Sequence, residues 1–119
     1  MPNIMVIDED CAMRTLITEW LTEGGHKVSS IGKLGAISDD AVRLVILDLP
    51  HLRARVHEIA NALRAVNEMY PNAQVIGISA QVRSSLAARS ATVRSFGVER
   101  VLAKPCNREE LLGAVAATL

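Results

Sequence analysis

The 119 residues are enough for one domain with its own core, without disulfide or metal staples. Half are apolar, but the aromatics are one Trp, one Tyr and one Phe, so the core has to be aliphatic. Thirteen lysines and arginines balance thirteen aspartates and glutamates, which removes any global-charge argument for nucleic-acid binding.

The balance is uneven along the chain. Residues 1–48 carry eight acids and four bases, a net of −4; residues 49–119 carry five acids and nine bases, a net of +4. The basic half reads as a solvated surface before it reads as a face for an acidic partner. Cys11 and Cys106 lie far apart and form no metal-spaced pair, so both are expected as free thiols in a reducing compartment. The opening "IMVI" is too short for a signal peptide, and no window nears eighteen uninterrupted apolar residues. A cytoplasmic protein with no membrane contact is expected.

In chain order, residues 3–7 read as a strand that runs into three carboxylates, Asp8, Glu9 and Asp10. Two such charges about 5 Å apart cost roughly 3 kcal/mol at an effective dielectric of 20, so the cluster needs a reason. Asp10 has one: it precedes a helical pattern over 11–23 and suits its N-cap. In that helix Ala12, Leu16 and Trp20 form a stripe, with Met13, Ile17 and Leu21 beside it; Arg14, Thr18, Glu19 and Thr22 are expected to face away. Gly24-Gly25 supplies the stop. Residues 26–31 read as the second strand, and 34–40 as a weak helix.

"RLVILD" follows, apolar on both faces, with a strand over 43–47 that ends at Asp48. Val56, Ile59, Ala60, Leu63 and Val66 give a helix over 55–69 its amphipathic rhythm, and Pro71 prevents its continuation. The strand over 74–79 ends at Ser79. Residues 83–96 are Ser- and Arg-rich with a thin stripe of Leu86, Val93 and Phe96, and should be the least firmly held helix. A fifth strand over 99–103 runs into Lys104-Pro105. The last helix, 108–118, carries Leu111, Leu112 and Val115, with Asn107 as N-cap and Glu110 at the capping-box position.

Strand and helix alternate five times, which predicts an α/β fold: a doubly wound parallel sheet with helices on both faces and right-handed crossovers. Ligands of such sheets bind outside the carboxyl ends of the strands. Asp8, Glu9, Asp48, Ser79 and Lys104 would all emerge there. Clustered carboxylates suit Mg²⁺, a carboxylate can be a nucleophile toward phosphorus, and a cation, a lysine and a hydroxyl can neutralise phosphoryl oxygens.

These features together resemble the receiver domain of bacterial two-component response regulators, from end to end. The matched motifs are the acidic pair after the first strand, the Asp after the third, Ser79-Ala80 after the fourth and Lys104-Pro105 after the fifth. The resemblance implies one receiver domain over 1–119 with the flavodoxin-like strand order 2-1-3-4-5. It implies that Asp48 accepts a phosphoryl group from a phosphohistidine of a histidine kinase or phosphotransfer protein, as a switch or relay step. The domain would phosphorylate itself and hydrolyse its own adduct, rather than turn over as a conventional enzyme. Glu9 would contact Mg²⁺ directly and Asp8 directly or through water; Asp48 and the Pro50 carbonyl would complete the protein ligands. Ser79, the Ala80 N–H and Lys104 would bind phosphoryl oxygens. A downstream protein would dock on the face made by 82–119. The oligomeric state is left open, a dimer among the options.

Some positions depart from the family pattern. Leu52 stands where a proline is usual, Arg55 and Val56 where an Asp-Gly pair is usual, and Val101 where a switch aromatic is usual. They motivate an alternative, a degenerate receiver that binds partners independently of phosphorylation. A third reading takes Asp8-Glu9-Asp10 as the Asp-x-Asp of a haloacid-dehalogenase-type phosphatase, although no late acidic pair follows the fourth strand. His26, His51 and His57 show no metal spacing and are expected at the surface. The pattern ends with the last helix, as expected of a stand-alone receiver or of one cut from a longer protein.

Overall fold

A computed structural model describes residues 3–32, 41–48, 56–79, 100–103 and 107–119, with main chain alone at 56–60, 79, 100, 101 and 103. The expected helices at 34–40 and 83–96 lie outside the described residues, as do Pro50, His51, Leu52, Arg55, Ala80, Lys104 and Cys106.

Five parallel strands, β1 (Ile4–Ile7), β2 (Val28–Ile31), β3 (Leu44–Asp48), β4 (Gln74–Ser79) and β5 (Arg100–Ala103), form one sheet in the order 2-1-3-4-5. Three helices are described: α1 (Cys11–Glu23), α2 (Val56–Met69) and α3 (Arg108–Thr118). Where the residues on both sides are described, the expected boundaries hold to within two residues. The second strand starts late for a local reason: the His26 N–H is already used on the Leu21 carbonyl, in the cap of α1.

Alternation along the strands divides the core in two. Ile4, Val6, Leu44, Ile46, Ile76, Ile78 and Leu102 pack with Ile17 and Leu21 of α1 and Leu111, Ala114 and Val115 of α3. The intervening residues Ile7, Val45, Leu47 and Val75 pack with Leu63 and Val66 of α2 and with Tyr70. Helices therefore cover both faces. α1 and α2 fall on opposite sides, as right-handed crossovers require when the chain winds outward from the centre in opposite directions. The aliphatic composition is legible in the packing: of the two aromatic residues described, Tyr70 is buried and Trp20 is half-buried.

Local chemistry sets the helix ends. Asp10 Oδ1 accepts from the Ala12 and Met13 N–H groups at 3.0 and 3.2 Å. Asn107 Oδ1 accepts from the Glu110 N–H at 2.7 Å. At the far end of α1 the His26 N–H reaches the Leu21 carbonyl and the Gly25 N–H reaches Thr22, a Schellman cap with Gly25 at φ +91°. α2 gives way to a turn through Pro71 in which the Ala73 N–H donates to the Tyr70 carbonyl at 3.1 Å.

The buried side of α1 differs from the expected stripe. Ile17 and Leu21 are buried with Met13 and Trp20 packed against the core, whereas Ala12 and Leu16 are exposed. The helix is apolar around about half its circumference, so periodicity alone leaves its rotation ambiguous.

Candidate functional site at the carboxyl edge of the sheet

The strand order reverses between β1 and β3, and the crevice at such a switch point lies outside the carboxyl ends of those two strands. Ile7 and Leu47 are register partners, so the next residue on each strand is an aspartate: Asp8 and Asp48. Adjacent strands run about 4.8 Å apart, which brings the two acids side by side. Both continue the parity of Ile4/Val6 and Leu44/Ile46, toward the layer of α1 and α3. On the other side of β3, Asp48 pairs with Ile78, and Ser79 follows one step beyond, paired with Ala103. Three neighbouring strands thus carry Asp8, Asp48 and Ser79 to one edge. Lys104 follows Ala103 in sequence and, like Pro50 and Ala80, lies outside the described residues.

The three consecutive acids separate into three environments. Asp8 is buried, at 2% exposure, while Asp48 is half-buried and Glu9 and Asp10 are exposed. Asp8 Oδ1 accepts the Asp10 N–H at 2.9 Å, an Asx turn that redirects the chain from strand to helix. The Asp8 main chain is held on both sides: its N–H donates to the Ile31 carbonyl at 3.2 Å, and its carbonyl accepts from Arg14 Nη1 at 2.8 Å. Asp10 is committed to the helix cap, which fits poorly with a role as the acid of an Asp-x-Asp phosphatase.

Arg14 is the residue that sequence reasoning misplaced. It does not face away; its guanidinium turns back from the first turns of α1 to the Asp8 carbonyl and lies against Gly32, just after β2. One signal for this was in the sequence. A cation in the opening turns of a helix opposes the helix dipole, and so asks for a specific partner.

In kind, the donor set fits a hard divalent cation, since Mg²⁺ is ordinarily bound by one or two carboxylates with waters and phosphate oxygens. Among the described residues no three His, Cys, Asp or Glu side chains converge as a ready-made metal cage. The site offers an acidic pair, Asp8 and Asp48, with Glu9 exposed beside it.

The fold has close counterparts among solved structures. A CheY-like response regulator receiver domain from Methanospirillum hungatei matches with a TM-score of 0.70 at 17% identity, over 98% of this chain and 92% of that one. The receiver domain of NtrX from Brucella abortus matches with 0.69 at 24% identity, over 98% and 97%. The response regulator TrrA from Thermotoga maritima, solved in complex with Mg²⁺-BeF, matches with 0.64 at 20% identity, over the whole of both chains. No protein-family model matches the sequence, and no curated protein matches it. The chain has the fold of the response-regulator receiver domains.

Proposed function

We propose that this chain is a two-component receiver, one domain over 1–119, in which Asp48 accepts a phosphoryl group in a Mg²⁺-dependent reaction. The observation that carries the reading is the placement of Asp8 and Asp48 on adjacent strands at the β1/β3 switch point, with Ser79 ending the next strand.

In this reading a carboxylate oxygen of Asp48 attacks phosphorus in the phosphohistidine of a histidine kinase or phosphotransfer protein. An O–P bond forms, the P–N bond breaks, and its electron pair returns to the partner's imidazole. Asp8, Glu9, Asp48 and the Pro50 carbonyl would hold Mg²⁺, which supplies charge neutralisation for the phosphoryl oxygens. Ser79, the Ala80 N–H and Lys104 would take the remaining oxygens. TrrA, which shares this fold, was solved in complex with Mg²⁺-BeF, and that supports this cation. No helix among the described residues is long and apolar enough to cross a membrane, and a cytoplasmic location belongs to the same reading. Output would pass through protein contacts on the 82–119 face.

The test is phosphorylation by acetyl phosphate with and without Mg²⁺, read by intact-protein mass spectrometry. A Mg²⁺-dependent adduct absent from Asp48→Asn is expected; labelling that persists in that variant contradicts the assignment.

A further inference from the structure

We infer that Arg14 is a positioning residue that fixes the turn carrying Asp8 and Glu9, and that Gly32 is glycine because the Arg14 guanidinium occupies the space its Cβ would need. The metal-binding consequence rests on the receiver reading above; the structural half does not.

Two observations meet at this point. The Asp8 carbonyl accepts from Arg14 Nη1 at 2.8 Å, so the peptide that joins Asp8 to Glu9 is held by a charged donor from the helix that follows it. Hydrogen bonds to charged groups are the stronger kind, and a guanidinium presents its donors in a fixed plane. With the Asp8 N–H on Ile31 and Oδ1 on the Asp10 N–H, the residue is anchored at main chain and side chain alike. Because the Asp8 carbonyl and the Glu9 N–H share one peptide plane, fixing the first also orients the second.

The second observation is steric. A Cβ built on Gly32 would lie 2.9 Å from Arg14 Nη1 and 3.9 Å from Cζ, the two atoms of the described residues that it would meet within 4 Å. Gly25 is the only described glycine with positive φ, so backbone conformation does not require glycine at 32. What favours it is the guanidinium in its place on the Asp8 carbonyl, since an added Cβ would push that tip away. The guanidinium thus holds the carboxyl end of β1 by the Asp8 carbonyl and fills the space next to the glycine that follows β2.

Gly32→Ala is the informative variant. It keeps every charge and pushes only the tip of a flexible side chain, so the fold should survive while the guanidinium leaves the Asp8 carbonyl. Amide hydrogen exchange by NMR and Mg²⁺ titration by calorimetry would be compared in wild type, Gly32→Ala, Arg14→Met and the double variant. Each single variant should speed exchange at the Asp10 N–H and weaken Mg²⁺ binding by about three- to tenfold, part of the worth of one charge-assisted hydrogen bond. Exchange at Val75 in β4 should not change. The double variant should match Arg14→Met, because the two changes act through one contact. Unchanged Asp10 exchange in both single variants overturns the inference. Faster exchange with unchanged Mg²⁺ affinity overturns its metal-site half. Wild type that binds no Mg²⁺ while exchange responds as expected contradicts the receiver reading and leaves the turn-fixing role of Arg14 standing.

Discussion

Asp8, Glu9 and Asp10 are neighbours in sequence, yet each is held differently. Asp10 is spent on two helix amides, Asp8 is buried with its main chain held on both sides, and Glu9 is exposed. Replacing Asp10 by alanine should therefore cost stability without removing a donor from the acidic pair. About 1 kcal/mol is expected from loss of the cap, read as a lower urea midpoint at unchanged slope. Gly25 gives a second residue-scale prediction. A Cβ there meets no atom of the described residues within 4 Å, so Gly25→Ala should cost the left-handed backbone penalty, roughly 1–2 kcal/mol. A larger loss in urea denaturation would mean that the backbone penalty is not the main cost of a side chain there. Both caps and the glycine stop were legible in the sequence because their partners lie within a few residues. Arg14 was not, because its place depends on Gly32, across the sheet edge from it.

At the scale of elements, α1 is the place where pattern and packing part. Ala12, Met13, Leu16, Ile17, Trp20 and Leu21 fill a broad apolar arc, and several rotations of the helix would bury most of it. The structure settles on Ile17 and Leu21, and leaves Leu16 39% exposed. Ile17→Ala should accordingly cost about 2–5 kcal/mol, while Leu16→Ala should stay within about 1 kcal/mol. The reverse ranking by chemical denaturation would put the helix back in the rotation that periodicity suggested. The strands were easier to read. "RLVILD" and "QVIGIS" are apolar at successive positions because both of their faces are covered, and they occupy the middle of the sheet as β3 and β4. "VSSI" at the edge is half-buried and more polar, as an edge strand should be.

For the whole molecule, the consequence of the topology is that two carboxylates far apart in the chain end adjacent strands at the switch point. The sequence showed which acids follow apolar runs, and so which reach the edge. Register could not be read there, because pairing between parallel strands is set by core packing over both faces. A cation shared by Asp8 and Asp48 should couple binding to stability. At ten times its dissociation constant, Mg²⁺ should stabilise the wild type by about 1.4 kcal/mol, and Asp8→Asn should lose most of that gain. Urea denaturation of both proteins with and without Mg²⁺ would measure it.

The central claim is that Asp48 and its neighbours form one phosphoryl-accepting, Mg²⁺-dependent site. Fluorine NMR of the protein with beryllofluoride tests it most directly, since that species mimics a carboxylate-bound phosphoryl group. The account predicts a protein-bound fluorine signal that needs Mg²⁺ and is lost in Asp48→Asn. A bound signal that survives in Asp48→Asn, or none in the wild type with Mg²⁺ present, would contradict it.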